Sequence, residues 1–230
     1  MDCTIVLAGN PNCGKSTVFN ELTGSRQYVG NWPGVTVEKK EGFVKPSILD
    51  SNDTVKLVDL PGTYSLSPSS PEQKIARNYI TSGQADAVIN IVDATNLERN
   101  LFLTTQLLEL NIPVVVGLNM MDIVEKKGDS INLSVLSDYL GIPFVPISAS
   151  KKDNLSELVK TATIAAKTGN KPTNCQYCKS PCKTSVQRYN LASEAVRAAY
   201  THGENQKTEL SDKIDKILLN KYLAIPIFLA

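Results

Sequence analysis

Eight consecutive residues, Gly9-Asn10-Pro11-Asn12-Cys13-Gly14-Lys15-Ser16, have the types and spacing to hold a chain of phosphates. Glycines let backbone amides turn inward around anionic oxygens, and a helix starting at Lys15 adds the partial positive charge of its N-terminus. The Lys15 ammonium then reaches the outer phosphates, and the Ser16 hydroxyl ligates Mg²⁺, with Thr17 following it. At a glycine frequency of ~7%, a chance match in a chain of this length arises in about one chain in a hundred. An apolar strand before the motif and a helical pattern after it make chance rarer still.

Three further short motifs follow in order, each after an apolar run. Asp59-Leu60-Pro61-Gly62 offers a carboxylate for Mg²⁺, held through a water, and a Gly62 amide for a terminal phosphate. Asn119-Met120-Met121-Asp122 places a carboxylate where it can accept N1–H and the 2-amino group of guanine, which adenine does not offer. Asp122 is thus the residue that selects GTP over ATP. Ser148-Ala149-Ser150 supplies a backbone N–H for guanine O6. Each motif alone also reads as a turn with a capping Asp; the ordered set of four argues for a nucleotide site. A separate group, Cys175, Cys178 and Cys182, has the spacing to hold Zn²⁺ or Fe²⁺, with His202 as the sole histidine able to complete it. A redox-active cluster and an incidental one are its other readings.

The elements that must position these residues alternate. Short β-branched runs at 4–8, 42–48, 54–60, 87–92, 113–118 and 143–147 read as strands, the second demoted to an edge by Pro46. Helical periodicity covers 15–23, 71–81, 97–110, 133–140 and 155–167, with Gly24 and Gly141 where helix-ending glycines belong. This predicts an α/β domain with a mostly parallel sheet covered on both faces. After 167 a Gly, Asn, Pro and Cys-rich stretch at 168–184 reads as a linker, and 185–200 and 210–222 read as amphipathic helices. The 230 residues carry 24 Lys and Arg against 23 Asp and Glu, net +1, which excludes a nucleic-acid binder acting by bulk positive charge. Five cysteines, an odd count with no secretory signal, indicate a reducing compartment. The apolar tail KYLAIPIFLA reads either as an element packed on the core or as the start of a membrane segment.

The ordered set GNPNCGKS, a Thr in the following loop, DLPG, NMMD and SAS resembles a Ras-type GTPase of the translation-factor-related branch. GNWPGVTVE at 30–38, DLPGTYSLSP at 59–68 and the tail DKIDKILLNKYLAIPIFLA resemble the N-terminal cytosolic part of the bacterial ferrous iron transport protein B family. The resemblance covers residue 4 to about 167 and returns at 210–230. It implies a Ras-like P-loop fold with a mostly parallel six-stranded sheet and a small all-α domain. The implied organisation is a GTP-binding domain at 1–167, a Cys-containing linker at 168–184, a helical domain at 185–225 that slows GDP release, and the start of a membrane segment at 226–230.

The resemblance also implies residue roles. Thr36, preceded by Gly34 and Val35, takes the switch I position that meets Mg²⁺ and the γ-phosphate. Asn12, with the carbonyls of Gly30 and Trp32, holds a K⁺ that supplies positive charge to the transition state. Asn12, Lys15, Thr36 and Gly62 form the implied catalytic set. Thr63 stands where Ras-type enzymes carry a water-orienting glutamine, which implies slow turnover; Met120 replaces a base-covering lysine. The implied function is a GTP-hydrolysing switch that drives or gates Fe²⁺ uptake at the cytoplasmic face of the bacterial inner membrane. Implied partners are a transmembrane iron-permease domain, a second copy in a homo-oligomer and small accessory iron-transport proteins, with no nucleic acid. A soluble ribosome- or RNA-associated GTPase and a non-hydrolysing nucleotide-binding module are the alternatives.

Overall fold

Val, Ile and Leu without intervening charge make the central strands two-sided, and successive residues along them part to opposite faces. In the computed structural model, which describes residues 2–24, 27–49, 53–169 and 184–203, these strands form the centre of a three-layer α/β arrangement. In chain order the elements are β1 (Cys3–Gly9), α1 (Lys15–Thr23), β2 (Gln27–Asn31), β3 (Glu38–Phe43), β4 (Val55–Asp59), α2 (Pro71–Thr81), β5 (Ala87–Asp93) and α3 (Leu97–Leu107). They continue as β6 (Val114–Asn119), α4 (Met121–Lys126), β7 (Ser130–Ile131), α5 (Leu133–Leu140), β8 (Phe144–Pro146), α6 (Leu155–Thr168), α7 (Ser185–Ala199) and β9 (Tyr200–Thr201).

The main sheet has seven strands in the order β2-β3-β4-β1-β5-β6-β8. Pairings from β4 through β8 are parallel, whereas β2–β3 and β3–β4 are antiparallel. Ile5 and Leu7 of β1 face a core built with α1 and α6, through Val18, Phe19, Leu158 and Val159. Val6 and Ala8 face the opposite core, shared with α2, α3, α5 and α7. Complete burial of each such aliphatic side chain is worth about 1.5–3 kcal/mol, so the two cores carry most of the stability.

Helix starts follow local chemistry. Ser70 and Gln73 form a reciprocal capping box at α2 with Pro71 in its first turn, and Thr184 and Gln187 do the same at α7. The Asn132 side chain accepts from the Val135 N–H at α5, and Gly141 ends that helix at φ 67°. Helix α7 packs against α3 and α5 through buried Leu191, Ala192, Ala195 and Ala199, and Arg188 grips Glu109 with two bonds of 2.8 Å.

The sheet departs from expectation at one edge. It has seven strands rather than six, because Gln27–Asn31 pairs as β2, a strand not expected from sequence. The neighbouring strand occupies 38–43 instead of 42–48, and Pro46–Ile48 forms a 3₁₀ turn. Mixed charge explains the difference. Glu38, Lys39, Lys40 and Glu41 look like a loop, yet on an antiparallel edge they pair across the surface, Glu41 with Lys39 and, at 3.0 Å, with Lys56. The short helix α4 was likewise not expected, and 97–110 divides into α3 and a 3₁₀ turn at Leu108–Leu110. The 210–222 helix, the 226–230 segment and Cys175, Cys178 and Cys182 lie outside the described residues.

Candidate functional site

The end of β1 and the start of α1 bracket the phosphate motif. Gly9 is required by close approach: a Cβ there would lie 2.7 Å from both Cys13 Sγ and the Ile91 carbonyl oxygen. Gly14 stands at φ 88° at the helix start, where a Cβ would lie 2.3 Å from Asn119 Nδ2. Asn12 also adopts a left-handed backbone, φ 65°. The loop thus turns sharply, and α1 begins with no side chain on its free amides. Cys13 is buried and its thiol is pushed up to about 11 by that burial, so it fills space and is inert as a nucleophile.

Asn119, at the end of β6, joins three of the motifs. Its Nδ2 donates to the Cys13 carbonyl at 2.9 Å, and its Oδ1 accepts from the Ala149 N–H at 2.9 Å. The phosphate loop, the 119–122 motif and the 148–150 motif therefore share one buried side chain. Asp122 follows Met120, whose positive φ of 66° starts α4. The Ser148 hydroxyl donates to Asp122 Oδ1 at 3.1 Å, and Lys151 Nζ lies 3.4 Å from Oδ2. Burial works against ionisation of Asp122, but Ser148 and Lys151 outweigh it and hold the carboxyl below its ordinary range. Lys151 was not expected at the site; its signal was only a basic residue after the Ser-Ala-Ser turn. Ser150 is exposed, with its hydroxyl 3.4 Å from that of Ser148.

Asp59, at the end of β4, is ion-paired with the Lys15 ammonium, and both are buried. Burial pushes the Asp59 carboxyl up against the opposing pull of Lys15. Gly62 lies against Pro11, where a Cβ would stand 3.4 Å from the Pro11 backbone, and the Thr63 N–H donates to the Gly9 carbonyl at 3.1 Å. The segment after β4 therefore leans on the phosphate loop. The exposed Ser16 hydroxyl and the Asp59 carboxylate are hard oxygen donors on adjoining elements, a set that fits Mg²⁺.

Residues 30–36 are placed differently. Gly30 lies in β2 opposite Lys39, and the Trp32 carbonyl accepts from the Val35 N–H at 3.2 Å. The Trp32 ring is buried edge-on against Tyr79 at 5.3 Å, with Lys39 Nζ 5.0 Å from its centre. Val35 and Val37 pack on the core, while Thr36 and Gly34 are exposed. Among the described residues no hydrogen bond or ion pair joins this segment to the phosphate loop. The structure thus gathers residues 9–17, Asp59, Gly62, Asn119, Met120, Asp122, Ser148 and Ala149, but not Gly30, Trp32 or Thr36. The described residues hold no group of three or more His, Cys, Asp or Glu able to bind a metal, and His202 Nδ1 lies 3.7 Å from Asp129. A separate cleft of about 1120 Å³ lies between Tyr64, α3 and α7.

Comparison with known proteins bears on this arrangement. Residues 3–162 match the family model described as "Ferrous iron transport protein B". The Fe(2+) transporter FeoB of Escherichia coli (strain K12) is 55% identical over 159 residues, and so is that of Salmonella typhimurium; the match covers 67% of this chain and 20% of each relative. The chain therefore spans about a fifth of the length of these relatives. Among solved structures, the G domain of the T. maritima FeoB iron transporter aligns with TM-score 0.66 and 42% identity, over 72% of this chain and 99% of that one. The cytosolic domain of L. pneumophila FeoB aligns with TM-score 0.69 and 34% identity, over 86% and 99%. A GDP-bound variant of the S. thermophilus FeoB G-domain aligns with TM-score 0.70 and 38% identity, over 98% and 94%.

Proposed function

From the premise that this chain belongs to the ferrous iron transport protein B family and carries the fold of its G domains, we propose that it is the GTP-binding and GTP-hydrolysing switch of an Fe²⁺ uptake protein. The observation that carries this reading is the Asn119 carboxamide. It locks the phosphate loop to the turn bearing Ser148 and Ala149, beside an Asp122 carboxylate held ionised for the two guanine donors. A fluorescent GDP analogue displaced from the chain by GDP and GTP but not by ADP or ATP supports it. Equal displacement by both purines refutes it.

Each residue then has a task. The amides of residues 10–17 wrap the phosphates, and Lys15 leaves Asp59 to pair with the outer phosphates. Ser16 and Asp59 would hold Mg²⁺, which would supply positive charge to the transferring phosphoryl oxygens. Gly62 donates its N–H to the γ-phosphate. Gly34, Val35 and Thr36 must rearrange from their present positions to close over the nucleotide. Asn12, with the carbonyls of Gly30 and Trp32, would hold K⁺, which would supply positive charge to the transition state. Thr63 cannot orient water as a glutamine does, so intrinsic turnover lies well below ~10 s⁻¹. The domain works with a transmembrane iron-permease domain at the cytoplasmic face of the inner membrane. No helix among the described residues is itself long and apolar enough to cross a membrane.

A further inference from the structure

Asn10 sits inside the phosphate loop with an unmet requirement. It is 2% exposed, and neither its carboxamide oxygen nor its nitrogen has a hydrogen-bond partner among the described residues. Burying an amide without partners is costly, and such groups in folded proteins call for an explanation. Its place in the fold supplies one. Val6 and Ala8 of β1 belong to the core facing α2 and α3, and Asn10, two residues on, continues that row.

That face also carries the segment after Asp59. Leu60 and Leu66 lie in the same core, and Thr63 is buried with its N–H on the Gly9 carbonyl. Leu66 is held through its N–H by Gln106 Oε1 of α3 at 2.6 Å, and Tyr64 lies under the Arg99 guanidinium at 4.3 Å. Asn90, paired in register with Ala8, donates to Thr104 at 2.7 Å but leaves its own Oδ1 without a partner. A polar floor thus runs beneath the loop, between the sheet and α3, beside the segment that must respond to the γ-phosphate.

We infer that Asn10 is a positioning residue for GTP hydrolysis. When Gly62–Leu66 tightens onto the phosphate loop in the triphosphate state, the Asn10 carboxamide takes main-chain groups of that segment as partners and fixes the Gly62 amide. In the diphosphate state the carboxamide is released. This rests on the GTPase reading above, because it needs a γ-phosphate to set the segment.

The test compares the 230-residue chain with Asn10→Ala and Asn10→Ser. Amide hydrogen exchange is followed with GDP and with a non-hydrolysable GTP analogue, alongside steady-state hydrolysis. In the parent chain the analogue slows exchange at residues 62–66. Asn10→Ala abolishes that slowing, keeps GDP affinity within about twofold and lowers kcat about tenfold at unchanged KM, the rate cost of one lost hydrogen bond. Asn10→Ser, which keeps a donor and an acceptor, recovers part of both effects. Unchanged kcat and unchanged analogue protection in Asn10→Ala overturn the inference alone, with the GTPase reading intact. So does a loss of GDP and GTP binding in parallel, the mark of a purely structural residue. A parent chain that binds no guanine nucleotide removes the GTPase reading and this inference together.

Discussion

In the proposed reading, Asp122 is the carboxylate that gives the site its preference for one purine. Ser148 and Lys151 fix both of its oxygens before any base arrives, so little ordering remains to be done on binding. Asp122→Asn replaces two acceptor oxygens by one acceptor and one donor. It should lower GDP affinity about 100-fold or more, the loss of charge-assisted hydrogen bonds, and raise affinity for xanthosine diphosphate, whose 2-oxo group accepts. Titration of a fluorescent nucleotide measures both. The same carboxylate sets a pH limb. Its folded pKa lies below the ordinary ~3.9, so its contribution is present at neutral pH and is lost only as pH falls through that lowered value. GDP affinity should stay flat from pH 7 to about 5 and fall only in stronger acid; a decline already complete at pH 5 contradicts the assignment. Lys15 and Asp59 give the complementary lesson, since two groups with separate proposed duties on the nucleotide are paired with one another.

At the scale of elements, position follows from strand parity and helix caps. The parallel strands β1, β4, β5 and β6 all deliver their C-terminal ends to one edge of the sheet, which is where loops gather for ligands in open α/β folds. This much was legible in sequence, because long aliphatic runs such as 87–92 have few alternative readings. Strand β2 was not legible. Gln-Tyr-Val-Gly-Asn is short, contains a glycine and leaves Tyr28 and Val29 exposed, so only its pairing with β3 makes it a strand. Helix α7 was legible as a helix with an apolar face at Leu191, Ala195, Val196 and Ala199, and that face packs against α3 and α5. Leu191→Ala, at the same interface, should cost about 2 kcal/mol in urea unfolding, at the low end for a buried leucine because the site lies near the surface. An unchanged midpoint would mean that α7 does not share the fold of the sheet.

For the whole molecule, the family and the fold could be read before any coordinates, since ordered motifs after strands carry position as well as chemistry. What sequence could not supply was state. Among the described residues no hydrogen bond or ion pair joins Thr36, Gly30 or Trp32 to Asn12, while Val35 and Val37 pack on the core and the Trp32 carbonyl accepts from Val35. Sequence grouped Asn10 with the rest of the phosphate loop, and only its burial sets it apart. The proposed K⁺ site ties these observations together. Hydrolysis should run several-fold faster in KCl than in NaCl, and Asn12→Ala should erase the difference while sparing GDP binding; equal rates in the two salts contradict the K⁺ role. The central claim, a guanine-specific hydrolytic switch, is tested most directly by phosphate release from GTP and from ATP in KCl and MgCl₂. The account predicts slow but measurable release from GTP, at least about 100-fold weaker release from ATP, and loss of GTP preference in Asp122→Asn. Comparable release from both nucleotides, or none from GTP, would contradict it.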